Sequence, residues 1–381
     1  MPELTNQELH DKIVSGELQA VSVDTNVFDR YHCNLGHALL LKLEQFKATN
    51  VELVFSEIVT NEIIGHIRDE AAETQRELRK ALRNHRRRWL LAADDAIETG
   101  LSMGVDAATK AKGDLDAYVA KVGAQVLAIK DGSNVAGEAT RRYFELLPPF
   151  EAKETKKHEF PDALALLSLE AFVKPNDGMM LCVSNDGGWK LFAAQSPHLV
   201  VLDELDVALS LFNQAGEPVA KEQVNLWRKG QLSTLEQAVE DALNDWSSDL
   251  QFLATGDGPA NYYTEDGEVA FQSIDEIGDP TVVAFGGKQI TFTVKLTATL
   301  EFYADFYFFV HDHVDGDDVN IGSANASKQA DVQVQATITA TYGETPAHIE
   351  DVEVTVTGPG IEVDFGYVDP YEDEDPTFEK Y

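Results

Sequence analysis

The sequence predicts a two-part chain: an α/β domain on a parallel sheet, followed by a C-terminal antiparallel β domain. Three observations carry this. Up to about residue 215, short β-branched apolar runs alternate with helical stretches, the pattern of a parallel sheet covered by helices. Beyond residue 256 the pattern changes to period two. The charge divides at the same place. Residues 1–215 carry 23 basic and 33 acidic side chains and residues 216–381 carry 7 and 33, so most of the net charge of −36 lies in the second part. A chain of 381 residues is long enough for two separate cores.

Taken in order, AVSVDTNVF (20–28) reads as a first strand ending in a polar turn, and VELVF (51–55) as a second. MMLCVSND (179–186) and HLVVLD (198–203) supply a third and a fourth. Between the second and third, residues 62–147 are Ala- and Arg-rich and read as mostly helical, an insertion spanning about 66–158. Residues 218–250 predict one or two further helices, placed in a connector over 216–255. The β domain is expected over 256–368, with long strands at 288–310 and 328–342 around the turn-rich DHVDGDDVNIGSANAS, and more over 350–367. Residues 369–381 read as an acidic tail. The α/β domain accordingly spans 1–215.

Composition excludes several classes. No apolar run approaches the ~20 residues of a membrane span, so no membrane partner is expected. The polar, acidic N-terminus does not read as a secretory signal. Two cysteines, Cys33 and Cys182, show no paired spacing, which argues against a zinc site or disulfide framework and fits a cytoplasmic protein. The acidity excludes indiscriminate polyanion binding.

Four acids stand where strands end or helices begin. Asp24 follows the run AVSV, Glu62 opens the helix after the second strand, Asp162 follows Pro161 at a helix head, and Asp186 ends the third strand in SNDGG. Each has a bland local reading: an Asx turn, a first-turn helix acid, an N-cap, a tight turn. Together they fall at the end of an open parallel sheet where ligands bind. Carboxylates gathered there repel unless a cation compensates. Hard divalent ions such as Mg²⁺ or Mn²⁺ take oxygen ligands and promote phosphodiester hydrolysis.

The stretches VDTNVF (23–28), the Glu62 helix, FPDALALLS (160–168) and CVSNDGGW (182–189) together resemble the PIN-domain nucleases, over roughly residues 20–200. The 99 residues between Glu62 and Asp162 make the chain look like the larger bacterial branch with a long helical insertion. The resemblance implies a PIN-like fold in which Asp24, Glu62, Asp162 and Asp186 hold one or two Mg²⁺ or Mn²⁺ ions, with Asn26 and Ser184 orienting ligands, water or phosphate. It implies a metal-dependent endonuclease acting on nucleic acid, RNA before DNA, and by analogy a toxin or defence effector and a homodimer. Two other readings stand beside it: a flap or single-strand DNA nuclease, and a non-catalytic binding module whose β domain engages an unidentified partner.

A second signal lies on the insertion. At about 100° per residue, Arg76, Arg79, Lys80, Arg83 and Arg87 share one helix face, with Leu78, Leu82, His85 and Trp89 opposite. The stripe is expected to track substrate phosphates, against a bland reading in which Glu73 and Glu77 neutralise it. Arg141 and Arg142 are a second candidate for the same groove. His311, Asp312 and His313, with Asp315, Asp317 and Asp318, read as a turn between strands rather than a metal loop.

Overall fold

Continuous apolar runs in a parallel sheet need cover on both faces, and the three central strands of the first unit have it. The computed structural model describes residues 4–89, 100, 106–129, 134–150, 159–265, 267–311 and 317–370. By contact density the chain divides into two units, Met1–Gln214 and Ala215–Tyr381.

The first unit runs α1 (Asn6–Ser15), β1 (Leu18–Val23), α2 (Thr25–Arg30), α3 (Ala38–Leu41), a 3₁₀ segment (Lys42–Ala48), β2 (Glu52–Ser56) and α4 (Glu57–Trp89). It continues through α5 (Ala107–Val122), β3 (Gln125–Leu127), α6 (Val135–Glu145), α7 (Phe160–Val173), β4 (Met179–Val183), α8 (Gly187–Ala193), β5 (Leu199–Leu202) and α9 (Leu205–Ser210). The strands pair in the order β3-β2-β1-β4-β5, all parallel. Strand order therefore reverses between β1 and β4, the switch point at which open α/β sheets leave a crevice. Ala20, Met180, Cys182, Leu166, Trp189 and Phe192 are buried in one core on this sheet.

Several sequence expectations shift here. The first strand stops at Val23, and residues 25–28 turn into α2 because Asp24, in extended conformation, caps it. The helix after β2 begins at Glu57, so Glu62 stands in its second turn rather than opening it. Three residues of the insertion form the edge strand β3, paired with Val54–Ser56. So short a strand carries no periodic signal of its own.

In the second unit, α10 (Glu217–Arg228) and α11 (Ser233–Ser248) precede β6 (Phe252–Asp257), β7 (Asn261–Thr264), β8 (Glu268–Ile277), β9 (Thr281–Gly286), β10 (Gln289–His311), β11 (Asp318–Tyr342), β12 (Ile349–Thr357) and β13 (Ile361–Tyr367). Strands β7 to β12 form an antiparallel sheet with β10 at its centre. Every even-numbered residue of β10 from Ile290 to Phe308 is buried, the period-two pattern sustained over ten positions. Val224, Trp227, Leu235, Val239 and Leu243 of α10 and α11 share that core, so the helices expected as a connector pack on the sheet. At roughly 1.5–3 kcal/mol per large apolar side chain buried, this contact is a main source of the unit's stability.

Strand structure also starts earlier than expected, at Phe252, and β6 pairs with β13 in parallel, unlike the antiparallel remainder. The stretch read as turn-rich is strand from Asp318 onward. Its small polar residues have weak strand preference, but long β10 offers a partner for each of them, with a bulge at Phe308/Phe309. Asp312, His313 and Asp315, and residues 371–381 of the acidic tail, lie outside the described residues. No helix among the described residues is long and apolar enough to cross a membrane.

Candidate active site at the ends of β1 and β4

Adjacent strands β1 and β4 deliver the first two acids to one place. Val23 pairs with Val183, and the Asp24 N–H donates to the Val183 carbonyl at 2.9 Å. Asp24 then caps α2, its Oδ1 accepting from the Thr25 N–H at 2.7 Å. Asp186, three residues past β4, caps α8 by accepting from the Trp189 N–H at 3.0 Å. Both acids thus do the structural job of a helix N-cap, and in doing so fix carboxylates at neighbouring strand ends.

Hydrogen bonds extend this pair to all four acids. Thr25 Oγ1 donates to Glu62 Oε2 at 2.7 Å, tying α4 to α2. Ser184 Oγ donates to Asp24 Oδ2 at 2.6 Å and accepts from the Asp186 N–H at 3.1 Å. Trp189 Nε1 donates to Asp162 Oδ1 at 3.0 Å, in the first turn of α7. A continuous chain therefore runs Glu62–Thr25–Asp24–Ser184–Asp186–Trp189–Asp162. Asn26 Nδ2 closes on its middle, 2.7 Å from Asp24 Oδ2 and 2.9 Å from Ser184 Oγ.

The electrostatics register the crowding. Burial pushes the Asp24 carboxyl up to about 7, with the charges of Asp162 and Asp186 adding to it. The Ser184 hydroxyl and the Thr25 N–H pull it back only in part. Asp162 is pushed up to about 6, again by burial first, with Asp186, Glu62 and Glu159 adding and the Trp189 indole opposing. Asp24 is 6% exposed whereas Asp186 is open to solvent, so the cluster has a buried floor and an accessible rim. Gly188 keeps the rim clear: a Cβ there would lie 3.0 Å from Asp186 Oδ1 and 3.2 Å from Pro149.

Two of the linking residues, Thr25 and Trp189, were not singled out from the sequence. The Asp–Gly–Gly–Trp spacing is the local signal for Trp189, since it places an N–H at the third helical position after a capping Asp. Its indole contact with Asp162 has no such signal. Glu57, at the start of α4, accepts from the Ile129 N–H at 3.0 Å beside β3.

Arg76, Arg79, Lys80, Arg83 and Arg87 are all exposed on α4, and among the described residues none forms an ion pair with Glu73 or Glu77. The opposite face is less packed than expected. Leu78 and Leu82 are half-buried, but His85 is exposed and Trp89 is 67% exposed. Arg141 and Arg142 are engaged elsewhere. Both pair with Glu138, and Arg142 also donates to the Pro148 carbonyl at 2.7 Å and lies 4.4 Å over the Phe192 ring. The Arg142 contacts tie α6 to Pro148 and to α8, while Arg141 pairs with Glu138 and Glu145 within α6 and is half-exposed.

Residues 21–189 match the family model described as PIN domain. No curated protein and no solved structure matches the chain.

Proposed function

We propose, from the premise that residues 21–189 are a PIN domain, that this protein is a metal-dependent endonuclease acting on RNA. PIN domains are in general nucleases that use divalent metal ions. The observation that carries the reading is the hydrogen-bonded chain joining Asp24, Glu62, Asp162 and Asp186 at the switch point. Structural duties alone do not account for four acids from four segments joined through Thr25, Ser184 and Trp189 into one chain. Buried carboxylates with raised pKa values are destabilising without a counter-charge, and an all-oxygen donor set suits Mg²⁺ or Mn²⁺ rather than a softer ion.

In this reading the four carboxylates hold one or two ions. Bound there, Mg²⁺ or Mn²⁺ neutralises phosphodiester charge and activates the attacking water. The protein's own part is positional. Ser184 and Asn26 hold Asp24 Oδ2 in a fixed direction and release little of it to solvent. Thr25 sets Glu62, and Trp189 sets Asp162 while shielding it from water. Asp186, at the exposed rim, faces incoming substrate. Action in the cytoplasm, a toxin or defence role, a homodimer and a partner for the β domain belong to the same proposal.

Cleavage of single-stranded RNA in Mn²⁺, abolished by chelator, is the expected result on matched RNA, DNA and flap substrates. Cleavage of DNA alone would move the assignment to the DNA nucleases. No metal-dependent cleavage of any substrate would favour the binding-module reading.

The basic face of α4 is assigned to substrate. At 1.5 Å per residue, Arg76 stands about 20 Å along the helix from Glu62, within the span of a bound single strand. Arg83→Ala with Arg87→Ala should weaken RNA binding and lower the slope of log K against log salt by about 1.4, at about 0.7 per phosphate contact. An unchanged slope would leave the stripe as solvated surface.

A further inference from the structure

We propose that Asp29, Cys33 and His66 form a second metal site, distinct from the carboxylate cluster, that takes a borderline-soft divalent ion of the Zn²⁺ class. Asp29 lies in α2, Cys33 in the turn that follows it, and His66 in α4. Each offers one ligand atom, and the three atoms lie within 4.8 Å of one another. Two contacts already focus them on one point. His66 Nδ1 is 2.6 Å from Asp29 Oδ1, and the Cys33 thiol donates to the same oxygen at 3.5 Å.

The donor chemistry selects the ion. One thiolate, one imidazole and one carboxylate suit Zn²⁺, whereas Mg²⁺ prefers oxygen ligands and keeps its waters. Three protein ligands leave a fourth tetrahedral position for water or a small ligand. Access exists from two sides. The side chains of His66 and Asp29 are 49% and 45% exposed, and Cys33 lines a pocket of about 440 Å³ together with Ile67, Asp114 and Lys121.

The chain is bent to bring the cysteine in. His32 and Cys33 both adopt left-handed backbone conformations, φ 51° and 48°, and neither is glycine. Such residues cost roughly 1–3 kcal/mol each, and the bend returns Cys33 toward Asp29 in the helix just left. Sequence spacing is silent on this group because His66 comes from another helix, and isolated cysteines read against zinc.

The site joins the two helices that carry the proposed catalytic acids. Asp24 caps α2, and Glu62 precedes His66 by four residues on the same face of α4. An ion here clamps α2 to α4 next to the carboxylate cluster.

Cobalt tests this on the full-length chain in Mg²⁺ buffer. Titrated Co²⁺ should give a near-ultraviolet thiolate-to-cobalt charge-transfer band that saturates at one equivalent and is displaced by Zn²⁺. Cys33→Ser should lose the band. His66→Ala, at an exposed position that does not endanger folding, should weaken Co²⁺ binding tenfold or more. Asp24→Asn should keep the band, so that failure of the nuclease reading and failure of this one are separable. Absence of the band in the wild type, its survival in Cys33→Ser, or unchanged Co²⁺ affinity in folded His66→Ala would overturn the proposal and leave a hydrogen bond between α2 and α4.

Discussion

Asp24→Asn is expected to reduce metal-dependent cleavage by roughly 10³-fold or more, the scale of losing one member of a catalytic unit, while the fold is retained. Asp24 sits at the centre of the chain of contacts, bound to Thr25, Asn26 and Ser184 at once. Asparagine keeps the shape and one acceptor oxygen but removes the charge that would hold a cation. The surrounding groups can adapt. With its oxygen left on the Thr25 N–H, the new amide nitrogen faces both Ser184 and Asn26; the Ser184 hydroxyl can rotate from donor to acceptor and the Asn26 amide can flip to present its oxygen. The helix cap therefore survives and the ligand is lost. Cleavage kinetics in saturating Mn²⁺, with circular dichroism as the folding control, read both. Metal-dependent cleavage at the wild-type rate in folded Asp24→Asn would end the assignment of this cluster as the active site.

The second large effect is on stability and depends on pH. In the folded protein Asp24 is held near 7 against an ordinary value of 3.8, so between those values the folded state binds more protons than the unfolded one. Stability from this group is fully present below about pH 4 and is lost as pH rises through about 7. Other groups titrate nearby. Asp162 acts in the same direction over a narrower window, up to about 6, and buried His37, pushed down to about 4, acts in the opposite one. Comparing metal-free wild type with Asp24→Asn cancels the His37 contribution and isolates Asp24 together with its coupling to Asp162 and Asp186.

The expected result is that the variant's stability gain over wild type grows from about pH 4 to about pH 7 and is level above. The slope is at most ~1.4 kcal/mol per pH unit, and the total is a few kcal/mol. Saturating Mn²⁺ at pH 8 should stabilise the wild type and much less the variant. Urea unfolding of the first unit across this range, in chelator and in Mn²⁺, measures it. A pH-independent difference would mean that the Asp24 carboxylate is not crowded in the way its surroundings imply.

The four acids were visible in the sequence because local rules mark them. Asp24 and Asp186 cap helices directly after apolar strand runs, and Asp162 follows a helix-starting proline. Glu62 is marked only by its nearness to β2, and the helix that carries it starts five residues earlier, at Glu57. The long period-two run of β10 is legible for the same reason, since its even-numbered residues from Ile290 to Phe308 are all buried and apolar. Edge strand β3, the first half of β11 and the parallel pairing of β6 with β13 were not, because a partner strand elsewhere in the chain makes each of them.

By itself the sequence determined which residues begin helices, which face inward, and hence that an α/β part precedes a β part. Periodicity and capping are properties of neighbouring residues and need no distant partner. Only the tertiary structure decided that β1 lies against β4, so that Asp24 and Ser184, 160 positions apart, share a hydrogen bond. The same step closes the chain through Thr25 and Trp189 and brings His66 onto Asp29 and Cys33. Strand order and helix packing are set by burying apolar faces across the whole unit, and no window of adjacent residues contains that information.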